Sequence, residues 1–239
     1  MVSKLSIISN HIKCDKKQFL LFILRLIITF GSLYYIYDFS NTNLYHIIVV
    51  CNLSVFIIRL QSRVPLRLEF SKVYLGTILI EDSAHYILYS VMIYNSFYFG
   101  HMVNIFLYAV IGLTCYLITL LGKIKIDNQS FIYRGLYKIM INQKLLLTLV
   151  AAFEVVQFPM LVFRLFRGSG SLIMPILYYN FLKFRYASRR NSYHRQVFFH
   201  LKVSIIDNFA KTTKCPSIIS TILQKAANFI SSCAPPMTV

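Results

Sequence analysis

Two acids and a histidine stand together in Ile80-Glu81-Asp82-Ser83-Ala84-His85-Tyr86, inside an apolar run from Val73 to Asn95. Glu81 and His85 are four residues apart and Asp82 and His85 three, so on a helix they share one face. Carboxylates beside an imidazole could hold a metal or relay a proton. A metal centre would want a third or fourth ligand at recognisable spacing. His46 and His101 fall near opposite ends of apolar runs, and neither HxxxH nor HExxH occurs. No metal or cofactor is therefore expected. An Asp at the centre of a membrane helix costs about 2.5–3.5 kcal/mol, so the reading favoured here is structural glue buried between helices. Arg25 and Glu154, also inside apolar runs, complete the expected intramembrane polar cluster, with Arg59 as a further candidate partner.

The elements that must position these groups are membrane helices. Of 239 residues 57% are hydrophobic and only 14% charged, where soluble domains carry about 25% charged residues. Mean hydropathy is +0.61, and the apolar residues lie in long runs. The expected fold is all-α, a polytopic helical bundle. Residues 1–18 form a cytosolic N-terminal segment. A membrane domain follows over 19–182, with segments at 19–37, 44–58, 73–95, 103–121, 145–163 and 171–184. The second and last of these are short of the ~20 residues that cross a bilayer upright. Two amphipathic helices, at about 193–211 and 216–232, are expected in a basic cytosolic tail, 183–239.

Charge placement sets the orientation. With a cytosolic N-terminus, strict alternation puts 1–18, 59–72, 122–144 and 183–239 on one side. These hold 4, 4, 5 and 9 Lys and Arg, 22 of the 25. The turns at 38–43 and 96–102 hold none, and Arg164 and Arg167 alone lie on the other side. This is the positive-inside pattern, with both termini cytosolic.

A formal charge of +17 suits anionic lipid headgroups. Lys183, Arg185, Arg189, Arg190 and Arg195 are the expected contacts for anionic lipid or a partner; a nuclear transport receptor is the second reading of this run. No nucleic-acid module is visible, and none is expected as a partner. Phe198, Leu201, Ile205, Phe209, Ile222 and Phe229 form the expected apolar face of the tail helices, lying on the cytosolic leaflet or packed on the bundle there.

Smaller signals lead to plain readings. Gly168-Ser169-Gly170-Ser171 fits neither phosphate-loop pattern and reads as a tight turn. Cysteines 14, 51, 115, 215 and 233 form no CxxC pair, so reduced thiols are expected. The sequons at Asn52 and Asn128 fall in a span and in a cytosolic connector, and neither is expected to be used.

Two stretches, IEDSAHYILYS at 80–90 and GSGSLIMPILYYNFLKFRYASRRNSYHR at 168–195, resemble the transmembrane protein 33 family. Arg59-Leu60 with Arg63 and Pro65, Glu154 with Pro159, and Cys215-Pro216 add to the resemblance, which runs from about residue 15 to 235. Arg164 and Arg167 depart from the family pattern. The resemblance implies a non-enzymatic resident of the endoplasmic reticulum and nuclear envelope, partnered by reticulon-type proteins or nucleoporins, with no catalytic residues. The function expected is membrane organisation, shaping tubules or supporting nuclear pores. The alternative is a transporter or enzyme using Glu81, Asp82 and His85; against it, no internal repeat of the transporter kind is visible.

Overall fold

The computed structural model of the chain describes residues 15–64, 71–124, 130–168, 170–188 and 191–201, with positions 203, 221, 224 and 225. Among them the architecture is all-α, as the composition predicts, with nine helices and no strand. Four helices are long and apolar enough to cross a membrane: α1 (Lys16–Tyr37), α2 (Thr42–Arg63), α5 (Phe99–Ile124) and α7 (Gln143–Phe166). At 1.5 Å per residue even the 22-residue α1 is about 33 Å long, enough for the hydrocarbon core. Between 22% and 33% of each apolar stretch is buried, so most of their apolar surface faces outward. That is the surface a hydrocarbon solvent requires, because burial in lipid replaces burial in a core.

The chain divides into two compact units, residues 1–67 with 90–150, and residues 68–89 with 151–239. In the first unit α1 packs on both α2 and α5, and the short α6 (Phe131–Ile141) packs on α5. Polar side chains start the first two helices. Asp15 accepts from the Gln18 N–H at 3.1 Å and Asn41 from the Leu44 N–H at 3.0 Å, satisfying backbone donors that have no partner within the helix. The fully buried Tyr45 donates to the carbonyls of Ile93 and Ser96, and Asn52 donates to Ser90 Oγ at 2.9 Å. Asn52, the first sequon position, is thus a buried packing residue.

Arg25 also belongs to this unit. Its Nη1 donates to the Gly112 carbonyl at 3.1 Å. Gly112 leaves the room for it, since a Cβ there would lie 2.6 Å from the guanidinium carbon. A glycine on α5 lets an arginine on α1 lie across a membrane helix and bond its backbone.

The second unit contains α3 (Lys72–Ile80), most of α4 (Asp82–Ile93), the remainder of α7, α8 (Ile173–Ala187) and α9 (Tyr193–Leu201). Here the structure differs from the sequence expectation. The run predicted over 73–95 is two helices of 9 and 12 residues, broken at Glu81, whose backbone is extended (φ −79°, ψ 126°). The break follows from the acids. Asp82 opens α4, where a carboxylate is favoured by the helix dipole, and Ser71 caps α3 through the Tyr74 N–H. Neither half alone reaches the ~20 residues of a membrane crossing, which takes the 9 and 12 residues of both, and the 15-residue α8 also falls short. After α7 the chain turns at Gly168, whose φ of +71° is a conformation glycine adopts without strain. The turn expected at Gly168–Ser171 begins there; Ser169 lies outside the described residues. Cys51 and Cys115 are free thiols, and Cys14, Cys215 and Cys233 lie outside the described residues.

Candidate functional site

The helix break creates a polar problem that His85 solves. Backbone carbonyls at the end of α3 lose their helical partners. His85 Nε2 lies 2.7 Å from the Leu79 carbonyl oxygen. A carbonyl can only accept, so this nitrogen carries the proton and donates. The ring stacks on Phe184, with centroids 5.7 Å apart. His85 is 2% exposed, and its role in this geometry is to close the broken helix.

Asp82, freed from a helix interior by the break, faces α8. Its Oδ1 accepts from Arg185 Nη1 at 3.0 Å and from Ser188 Oγ at 2.8 Å. The Arg185 guanidinium reaches a second carboxylate, with Nε 3.6 Å from Glu154 Oε2 on α7. It also lies over the Tyr86 ring, 4.5 Å from the centroid, as a cation over an aromatic face. Tyr86 in turn donates its hydroxyl to Glu154 Oε1 at 2.8 Å. His194 completes the site, its Nε2 lying 2.6 Å from Glu154 Oε2. Glu154, Arg185 and His194 are each no more than 1% exposed. Burial lowers the His194 pKa below the usual imidazole value, against the pull of the Glu154 carboxylate.

A second layer holds α8 to α7. The buried Tyr178 hydroxyl donates toward the Glu154 carbonyl and Gln157 Oε1, both at 2.8 Å. Ser188 Oγ also accepts from the Asn191 N–H, and Asn191 Oδ1 from the Tyr193 N–H, which aims α9 back toward α7. The arrangement is a clamp: one arginine and one histidine, from the last helices described, engage two carboxylates on α4 and α7.

The predicted residues sort unevenly. Asp82, His85 and Glu154 lie together in this unit, and Glu81 is buried beside them in sequence at the break. Arg25 is not part of this site but bonds Gly112 in the first unit. Arg185, expected at a lipid surface, is instead the buried centre of the clamp. The reason is electrostatic, since the fully buried Glu154 and the part-buried Asp82 need a cation far more than a headgroup does. Lys183 is exposed and Arg195 half-buried; Arg189 and Arg190 lie outside the described residues.

The tail face also turns inward where it is described. The Phe198 ring meets Tyr186 edge-on at 5.3 Å. Phe198 and Leu201 line an apolar cavity of about 350 Å³ with Val155, Val156, Pro159 and Tyr186. The outward apolar residues are Phe199 and Val203. Ile205, Phe209, Ile222 and Phe229 lie outside the described residues.

The sequence alone places Arg185 at a lipid surface rather than in this cluster and does not single out His194. A signal for Arg185 existed: Tyr178, Phe181, Leu182 and Arg185 recur at i, i+3, i+4, i+7, and all four are buried. For His194 the sequence holds no comparable signal.

The fold and this site define a polytopic α-helical membrane protein with a charged junction between a broken helix and the start of the tail. The chain belongs to the transmembrane protein 33 family. It matches the family described as Transmembrane protein 33/Nucleoporin POM33 over residues 2–236. It is 31% identical to the Transmembrane protein 33 homolog of Caenorhabditis elegans, covering 97% of this chain and 87% of that one. With Transmembrane protein 33 of Homo sapiens the identity is 32%, over 74% of this chain and 72% of the human protein. Krueppel homolog 2 of Drosophila melanogaster is 27% identical over 95% of this chain and 82% of its own. No solved structure matches the chain.

Proposed function

We propose that this is a non-enzymatic membrane-organising protein of the endoplasmic reticulum and nuclear envelope, with both termini cytosolic. The observation that carries the reading is the clamp. Transport or catalysis would leave an ionisable group addressing a substrate path, whereas Asp82 and Glu154 are spent on Arg185, Ser188, Tyr86 and His194. Such a junction fixes the base of a basic tail against membrane helices. Lys183, Phe199 and the chain beyond them are then presented to anionic lipid and to membrane-protein partners. The family description includes a nucleoporin, which supports a role at the nuclear envelope, and reticulon-type proteins or nucleoporins are the partners this reading expects.

The test is co-purification from gently solubilised membranes, comparing the native chain with Phe199→Asp and Arg185→Ala. The native chain should bring down reticulon-type proteins or nucleoporins. Phe199→Asp, on an exposed side chain, should reduce that recovery without altering membrane insertion. Arg185→Ala should reduce it further by releasing the tail. Recovery unchanged in both variants, or no such partner with the native chain, would overturn the proposal.

A further inference from the structure

The connector expected over 122–144 contains a helix, α6, that no residue of its own buries. Its sequence, Phe131-Ile132-Tyr133-Arg134-Gly135-Leu136-Tyr137-Lys138-Ile139-Met140-Ile141, places Ile132, Leu136, Ile139 and Met140 on one arc at helical spacing. Arg134 and Lys138 fall on the opposite side with Phe131 and Ile141, and Gly135 lies on the flank. Where α6 packs along α5, Leu136 and Ile139 are half-buried. The apolar arc is wider than that contact, and Ile132 stays 66% and Met140 38% exposed.

Chain connectivity fixes where this surface sits. Six residues lie between the end of α5 at Ile124 and the start of α6, and only Asn142 separates α6 from α7. Both neighbours are candidate membrane spans. Six residues reach at most about 20 Å, so α6 is confined to the membrane boundary. A short helix there, with an apolar arc and a cationic side, has the properties of one lying in the interfacial plane. Lys123 at the end of α5 and Lys144 at the start of α7 add cations at the same level. Positive charge beside apolar exposure selects negatively charged headgroups over neutral ones.

We infer that α6 is an interfacial membrane-binding helix, its Ile132–Met140 arc sunk into the anionic leaflet and Arg134 and Lys138 directed at lipid phosphates. The inference deepens the membrane-organising reading, because a helix embedded in one leaflet between two spans adds area to that leaflet alone. It rests on that reading only for which leaflet is meant, the cytosolic one.

The experiment uses the full chain in vesicles, with a nitroxide amino acid introduced singly at Ile132, Met140, Arg134 or Lys138, leaving native cysteines in place. Relaxation by oxygen and by a water-soluble nickel chelate reads the depth of each label. Ile132 and Met140 should favour oxygen, and Arg134 and Lys138 should favour nickel. Adding phosphatidylserine to phosphatidylcholine vesicles should deepen the first pair, and Arg134→Glu with Lys138→Glu should remove that response. Nickel preference at all four positions would overturn the inference, as would apolar labels shielded from both agents, the mark of a protein partner. Depth that ignores phosphatidylserine would overturn the anionic assignment. None of these outcomes alters recovery of partners by the tail, so the two proposals fail separately.

Discussion

The two units of this protein bury different things. Residues 1–67 with 90–150 enclose apolar side chains and mostly neutral polar groups, such as Tyr45 on two carbonyls and Asn52 on Ser90, with the part-buried Arg25 bonded to a backbone carbonyl. Residues 68–89 with 151–239 enclose two carboxylates, a guanidinium and two imidazoles around a broken helix. Long apolar helices lose no free energy by sliding or rotating in hydrocarbon, so neutral hydrogen bonds and close packing suffice to hold them. A buried charge set tolerates no such latitude, because each group is costly unless its partner is in place. The first unit is therefore held by many small contributions, the second by a few large, mutually dependent ones.

The largest effect should come from opening the clamp. Arg185→Ala leaves Asp82 and Glu154 without their shared cation, and truncating one member of a buried ion pair costs about 3–5 kcal/mol. Thermal unfolding in detergent should show a marked loss, and limited proteolysis should cut after residue 188 where the native chain resists. Arg185→Lys should recover little, since one ammonium cannot reach both carboxylates and stack on Tyr86. Near-native stability for Arg185→Ala would erase the contrast between the units.

A smaller effect is expected in the first unit from Gly112→Ala. The new Cβ would meet the Arg25 guanidinium at 2.6 Å, and overpacking of this kind costs about 1–3 kcal/mol. The sharper reading is the double substitution. With Arg25→Met the flexible side chain can move aside, so the cost of Gly112→Ala should largely vanish. If the two costs simply add, Gly112 does not make room for Arg25.

The smallest effect is on pH. The His194 pKa is lowered by burial, so the unfolded chain binds that proton more readily than the folded one. The stability it contributes is complete above the unfolded imidazole value of about 6.5 and is lost as pH falls toward the lowered folded value. Melting temperature in detergent should decline over that interval and decline less in His194→Gln. Identical profiles would remove His194 from the clamp's acid sensitivity.

Hydropathy made the long helices legible, because a run such as Val103–Leu121 has no soluble alternative. It also hid the break at Glu81, since an apolar window averages two acids away where the backbone cannot. Lys183 and Arg185 look alike in the sequence, two cations in KFRY. One is exposed and the other fully enclosed because α8 turns position 185, with Tyr178, Phe181 and Leu182, toward α7. Similarly, Phe131–Ile141 resembles a basic connector until its helix sets Arg134 and Lys138 apart from Ile132, Leu136 and Ile139.

By itself the sequence determined the solvent of this protein and where its long apolar helices lie along the chain. Those follow from side-chain transfer energies, which are local and sum along the chain. Which carboxylate meets which cation is decided only in the tertiary structure. Asp82 and Arg185 are 103 residues apart, and their pairing depends on helix rotation and approach, which no local sum contains.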